Sequence, residues 1–209
     1  DRERHALIVA LAHLDASGDA DNTVFWRNAW VGLAGNYGDV RMGRILMPLQ
    51  DMNGGFDAFD TGYVGSTHTG GATATVRANN AMYYRSPNWA GFSFHAAYAA
   101  AEGQYIGETR GSFAGTANFQ IPNNTLNKEN PFGFNVRYAA GPLNLGAAYD
   151  TNPADYDTFG LYGSWNFGFM NLMGQYRMSE QAAAENTGFL VGLTVPFGAS
   201  TLKLAYSET

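Results

Sequence analysis

Few side chains in this chain are spaced to do covalent chemistry. The four histidines, His5, His13, His68 and His95, are scattered, with no two at metal-ligand spacing. His95 shares a strand face with Ser93 and reads as an imidazole on a wet surface rather than a ligand. There is no nucleophile elbow, Walker loop or dinucleotide fingerprint. Asp15, Ser17, Asp19 and Asp21 alternate like the start of a calcium loop, but no closing Glu follows at the required offset, which leaves a solvated loop. Asn123-Asn124-Thr125 is only formally a glycosylation acceptor. No enzyme activity, cofactor or resident metal is expected. What remains is a pattern of charge. Arg41, Arg85, Arg137, Arg177 and Lys203, with Gln175, occupy positions that alternate with apolar residues. Asp51, Asp57 and Asp60 lie in a stretch with no Lys or Arg until Arg77.

The composition limits what can carry those charges. The 209 residues include 26 Gly, 14 Phe, 12 Tyr and 4 Trp, and no Cys. Charged residues make up 14%, well below the roughly 25% of a typical soluble domain. So aromatic a chain is not disordered, and without Cys it has neither a disulfide scaffold nor a thiolate metal site. Mean hydropathy is -0.23. The longest apolar run, Ala6 to Ala12, is far too short for a membrane helix. A net charge of -6 argues against a nucleic-acid partner. The chain opens on Asp-Arg-Glu-Arg, with no apolar signal core.

The elements that must position the charges read as strands. Phe132, Phe134, Val136 and Tyr138 alternate with Gly133, Asn135, Arg137 and Ala139, and similar runs recur along the chain. A period of two gives each strand one apolar and one polar face. Eleven strands are predicted, at 5–14, 25–35, 37–46, 78–86, 91–100, 131–139, 142–150, 156–166, 168–178, 187–196 and 200–208. No stretch reads as a helix beyond one possible turn over Ser179 to Glu185. Short connections alternate with longer ones at 15–24, 47–77, 101–130, 151–155 and 179–186. An up-and-down meander with loops sorted by length is the plan of an outer-membrane barrel, whose apolar face meets lipid. Eleven apolar faces with so few charges outside do not converge on one compact core. Tyr84, Tyr98, Tyr138, Tyr149, Trp165 and Tyr206 near strand ends suit interfacial girdles.

Two segments are more specific. Trp30-Val31-Gly32-Leu33-Ala34-Gly35 followed by Tyr37-Gly38-Asp39-Val40-Arg41-Met42-Gly43-Arg44, and Asn80 to Tyr84 followed by Ser86-Pro87-Asn88-Trp89-Ala90-Gly91-Phe92-Ser93, resemble hairpins of the general trimeric porins of Gram-negative bacteria. The nearest branch is the neisserial and betaproteobacterial one. Gly141-Pro142-Leu143 to Tyr149 and Val195-Pro196-Phe197-Gly198 fit the same family, so the resemblance runs in order over most of the chain. There are departures. Tyr83 stands where the family usually has Arg, and Arg85 where it has an acid, which moves one basic group by two residues on the same face. The chain ends in Ser207-Glu208-Thr209 rather than on an aromatic residue.

The resemblance implies an all-β, antiparallel, up-and-down transmembrane β-barrel in the outer membrane of a Gram-negative bacterium. Such porins close with about sixteen strands, so residues 1–209 read as a single partial barrel domain of an incomplete chain. It also implies a homotrimer among outer-membrane lipid and lipopolysaccharide, passing small hydrophilic solutes and ions. Segment 47–77 corresponds to the family's inward-folding loop. Its acids Asp51, Asp57 and Asp60 would face Arg41, Arg77, Arg85 and Arg137 on the wall and form the pore constriction. Arg44 matches the family motif, although alternation places it with Val40 and Met42 unless a bulge turns it. Two alternatives compete with a diffusion porin: a soluble β-rich carbohydrate-binding module, and a structural or adhesive barrel with a plugged lumen.

Overall fold

The structure is a computed structural model that describes residues 9–14, 28–60, 77–100, 130–151, 156–181 and 184–208. Eleven strands follow in order: β1 (Val9–Leu14), β2 (Ala29–Gly35), β3 (Gly38–Leu46), β4 (Arg77–Arg85), β5 (Phe92–Ala99), β6 (Phe132–Ala140), β7 (Leu143–Thr151), β8 (Tyr156–Asn166), β9 (Asn171–Gln181), β10 (Ala184–Phe197) and β11 (Ser200–Glu208). They form one sheet in chain order, each strand antiparallel to the next. The alternation in the sequence is therefore the alternation of a meander. The β6–β7 register pairs Phe134 with Tyr149 and Tyr138 with Leu145, so Phe132, Phe134, Leu143 and Leu145 share one face.

The connections sort as expected, with one exception. The tight turns into β3, β5, β7, β9 and β11 lie at one end of the sheet. Several use left-handed backbone, at Gly38 (φ 105°), Gly91 (φ 98°), Gly141 (φ 55°), Gly168 (φ 87°) and Gly198 (φ 58°). The exception is 179–186, predicted as a longer connection with a possible helical turn. Residues 179–181 instead extend β9, and β10 already begins at Ala184. Ser179 continues the inward alternation and its hydroxyl meets that of Thr158 at 3.0 Å.

The two faces differ in chemistry. On one, Val31, Leu33, Met82, Phe134, Leu161, Val191 and Leu204 are all exposed. Aromatics mark its two margins. Phe92 stacks on Tyr138 (4.6 Å) and Trp165 on Phe167 (6.3 Å) by the tight turns; Phe132 on Tyr149 (5.8 Å) and Phe189 on Tyr206 (5.9 Å) sit at the opposite end. An apolar band between two aromatic belts is what a bilayer selects, since lipid replaces a protein core and the belts lie at headgroup level. The strands between the belts are mostly nine to eleven residues long, enough to cross the hydrocarbon at a tilt.

The other face is polar and carries a helix that alternation alone does not predict. Helix α1 (Pro48–Gly55) follows β3 directly. Pro48 has its φ preset for a first helical turn, but Met47 at the N-cap provides no side-chain cap, and Asn53-Gly54-Gly55 are poor helix formers. The helix forms where the sheet completes it. Leu49, Met52 and Phe56 are buried with Ala148 of β7 and Tyr162 of β8.

Candidate functional site

Segment 47–60 is fastened to the polar face by hydrogen bonds from four strands. The missing helix cap comes from β7: the Leu49 N–H points to both carboxylate oxygens of the buried Asp150, at 3.3 and 3.4 Å. Asn135 Nδ2 of β6 donates to the Pro48 carbonyl (2.8 Å). The Tyr162 hydroxyl of β8 donates to Asn53 Oδ1 (2.7 Å), and Gln175 Nε2 of β9 to the Phe56 carbonyl (3.4 Å). Each bond satisfies a buried group that would otherwise be costly to desolvate. Beyond the helix the chain turns sharply. Asp57 Oδ1 accepts from the Phe59 N–H (2.8 Å), the Asp60 N–H donates to the Asp57 carbonyl (3.1 Å), and Asp60 is left-handed at φ 52°.

Beside the start of α1 lies a charge cluster built by β3, β4 and β5. Asp39 accepts from Arg41 through Nε and Nη2, both at 2.7 Å, and from Arg85 Nη2 at 2.6 Å. The fork geometry of guanidinium on carboxylate makes this pairing specific as well as strong. Arg41 also lies 4.3 Å over the Trp30 ring and 5.7 Å from the Tyr83 ring, held on its faces as well as its edge. Two guanidiniums share one carboxylate, so the group keeps a net positive charge. Across a cavity of about 310 Å³ lined by Trp30, Arg41, Tyr83 and Arg85, Asp51 of α1 provides the opposite sign. Asp51 Oδ2 is 3.1 Å from His95 Nδ1, and the Tyr83 hydroxyl is 2.8 Å from the same nitrogen.

Further along, Arg137 is exposed, donates through Nε to Asn144 Oδ1 (2.7 Å) and lies 5.7 Å from the Phe56 ring. Arg177 is buried on β9.

The structure thus brings Arg41, Arg85 and Asp51 to one cavity, and Asp57, Asp60 and Arg137 to the same face of the sheet. Arg44 and Arg77 lie beyond a break in the register that sets them off from the inward alternation of Arg41 and Arg85. Between Gly43 and Ile45 the β3–β4 register slips: Gly43 pairs with Ala81 but Ile45 with Ala78, so Arg44 faces both Asn79 and Asn80, the latter left-handed at φ 49°. One extra residue on β4 inverts its alternation. Counting back in twos from Arg85 reaches Arg77, yet beyond the bulge it is Ala78 that is buried toward the inner face. Arg44 lies between inward Gly43 and Ile45, and its Nη1 donates to Asn79 Oδ1 (2.8 Å). Sequence reasoning also left out Asp39 and Asp150 and gave His95 no partner. Asp39 could have been found from its i, i+2 spacing to Arg41. Asp150 and His95 acquire their roles only from partners far along the chain. Asp15, Ser17, Asp19, Asp21 and Asn123-Asn124-Thr125 lie outside the described residues, and no metal-holding group of His, Asp and Glu occurs among the described ones.

Comparison with known proteins gives a consistent set. Residues 8–209 match the family described as Gram-negative porin. Outer membrane porin protein 32 of Delftia acidovorans is 28% identical over 213 residues, covering 91% of this chain and 56% of its own length. An outer membrane porin protein of Bordetella pertussis is 27% identical over 195 residues, covering 85% and 48%. The solved anion-selective porin from Comamonas acidovorans matches with a TM-score of 0.68 at 26% identity, over 91% of this chain and 59% of that one. The chain spans about half the length of the curated relatives it matches.

Proposed function

Because the chain belongs to the Gram-negative porin family, we propose that the protein is a general diffusion porin: a homotrimeric, water-filled channel that passes small hydrophilic solutes and ions. Its place is the outer membrane of a Gram-negative bacterium, as for its relatives. The observation that carries the proposal is the division of one continuous meander into an exposed apolar face and a polar face that holds segment 47–60. In the membrane the apolar face meets lipid and lipopolysaccharide, and the polar face lines water. The reading is a channel rather than an enzyme. A soluble carbohydrate-binding module finds no support in the family or the fold.

The proposed constriction comprises segment 47–77 with Asp51, Asp57 and Asp60, facing Arg41, Arg85 and Arg137. Acids on the loop and guanidiniums on the wall set a transverse field across a narrow aqueous gap, which sorts ions by charge and size. Arg suits the wall because it stays charged at any working pH. The decisive test is reconstitution of the intact protein in planar bilayers. Stepwise ohmic conductance is expected; a protein that stays monodisperse without detergent and never conducts would overturn the reading.

One residue tests the wall directly. Arg137→Glu exchanges a positive for a negative charge in a wet position, so desolvation changes little. An Arg facing lipid at the bilayer midplane would cost about 2–4 kcal/mol. The variant should assemble normally while its anion-to-cation permeability ratio falls roughly threefold or more. The solved relative named as anion-selective makes the reversal potential under a salt gradient the informative readout. An unchanged potential with normal assembly would remove Arg137 from the ion path.

A further inference from the structure

We propose that His95 is a pH-dependent determinant of ion selectivity, its imidazole placing a titratable charge where segment 47–60 meets the wall. The inference rests on the channel reading above. His95 lies on the α1 side of β5, opposite Arg85 on one neighbouring strand and Asn135 on the other. Its Nδ1 has three polar neighbours: the Tyr83 hydroxyl at 2.8 Å, Asp51 Oδ2 at 3.1 Å and Asn135 Nδ2 at 3.5 Å. The titratable and charged groups around the ring are Asp51 on α1, Tyr83 and Arg85 on β4, Asp39 and Arg41 on β3, and Arg137 on β6.

The donors and acceptors around Nδ1 permit two arrangements. A bare Nδ1 accepts from the Tyr83 O–H, with the Asn135 amide at the edge of reach, and has no bond to offer the Asp51 carboxylate. A protonated Nδ1 carries a single N–H, which Asp51 Oδ2 and the Tyr83 oxygen share as acceptors. The neutral ring can adopt either tautomer. The imidazolium has only the second, which links β5 to the first turn of α1, where the Asp51 N–H already bonds to the Met47 carbonyl (3.1 Å). Protonation therefore does two things at once: it commits the ring to the loop and adds one positive charge beside the Asp39–Arg41–Arg85 cluster. Water reaches the pair, since the Asp51 side chain is 45% exposed and that of His95 15%. Imidazole is the one side chain whose unperturbed charge change falls between about pH 5 and 8.

The test uses the intact protein in planar bilayers under a potassium chloride gradient, at about pH 8 and about pH 5. One charge within several ångströms of a hydrated ion path is worth about a twofold change in permeability ratio. The wild type should move about twofold toward anions on acidification. His95→Gln should conduct but lose that shift, and Asp51→Asn should keep it. A wild-type channel with a pH-independent ratio would overturn the inference while leaving the channel reading intact. So would a shift that persists in His95→Gln or disappears only in Asp51→Asn, which would assign the charge to the carboxylate. Absence of any channel at either pH would fell the porin reading and this inference with it.

Discussion

Deleting Asn53 to Gly70 from the intact protein should raise single-channel conductance roughly twofold or more without preventing assembly, because pore cross-section limits ion flow. The strands pair with one another and turn their apolar faces outward without any contribution from that stretch. The deleted residues include Asn53, whose amide oxygen meets the Tyr162 hydroxyl, and Phe56, which packs on the Tyr162 ring at 5.5 Å. Their loss leaves Tyr162 and Gln175 facing water, which can hydrate both, so the penalty to folding is small. Loops of such length in compact domains are usually functional or disordered, and the bonds to Pro48, Leu49, Asn53 and Phe56 argue for the former. Planar-bilayer recording checks the expectation. Unchanged conductance in a correctly assembled variant would show that segment 47–77 does not narrow the pore.

The second large effect should come from a residue with no side chain. Gly133→Val should lower stability by about 2–4 kcal/mol, although Val is the better strand former. Gly133 pairs with Asp150 on β7, and a Cβ at Gly133 would collide with Asp150 Oδ1. The buried carboxylate would have to move, and it is the only side chain that caps α1 among the described residues. The variant therefore combines overpacking with loss of a cap. A urea or thermal titration of the folded protein in detergent measures the loss. Gly141→Val is the control, since nothing lies within 4 Å of a Cβ there, though its φ of 55° adds local strain. Equal stability of Gly133→Val and the wild type would show that Asp150 does not hold the helix.

Much of the fold was legible because the signals are local. Each strand announces itself through a period of two within its own residues, as in Leu143-Asn144-Leu145, and the tight turns through Gly at left-handed positions. The same locality explains the errors. A bulge is a mismatch between two strands, so no reading of β4 alone could show that the register slips at Asn79-Asn80 and buries Ala78 on the inner side. Helix α1 lacks a cap of its own and ends in Asn-Gly-Gly; its stability comes from Asp150, about a hundred residues away in the chain.

By itself, then, the amino-acid sequence determined the class of the protein, the order of its strands, the two chemically distinct faces and the family to which they belong. All of these follow from nearest-neighbour patterning, from composition and from turn residues. The tertiary structure decided which charges meet. Asp39 holds Arg85 only because β3 and β4 pair in one register. His95 meets Asp51 only because four strands fasten α1 to the wall. Electrostatic interactions depend on separations of a few ångströms between residues far apart in the chain, and separation in space is what a period of two cannot encode.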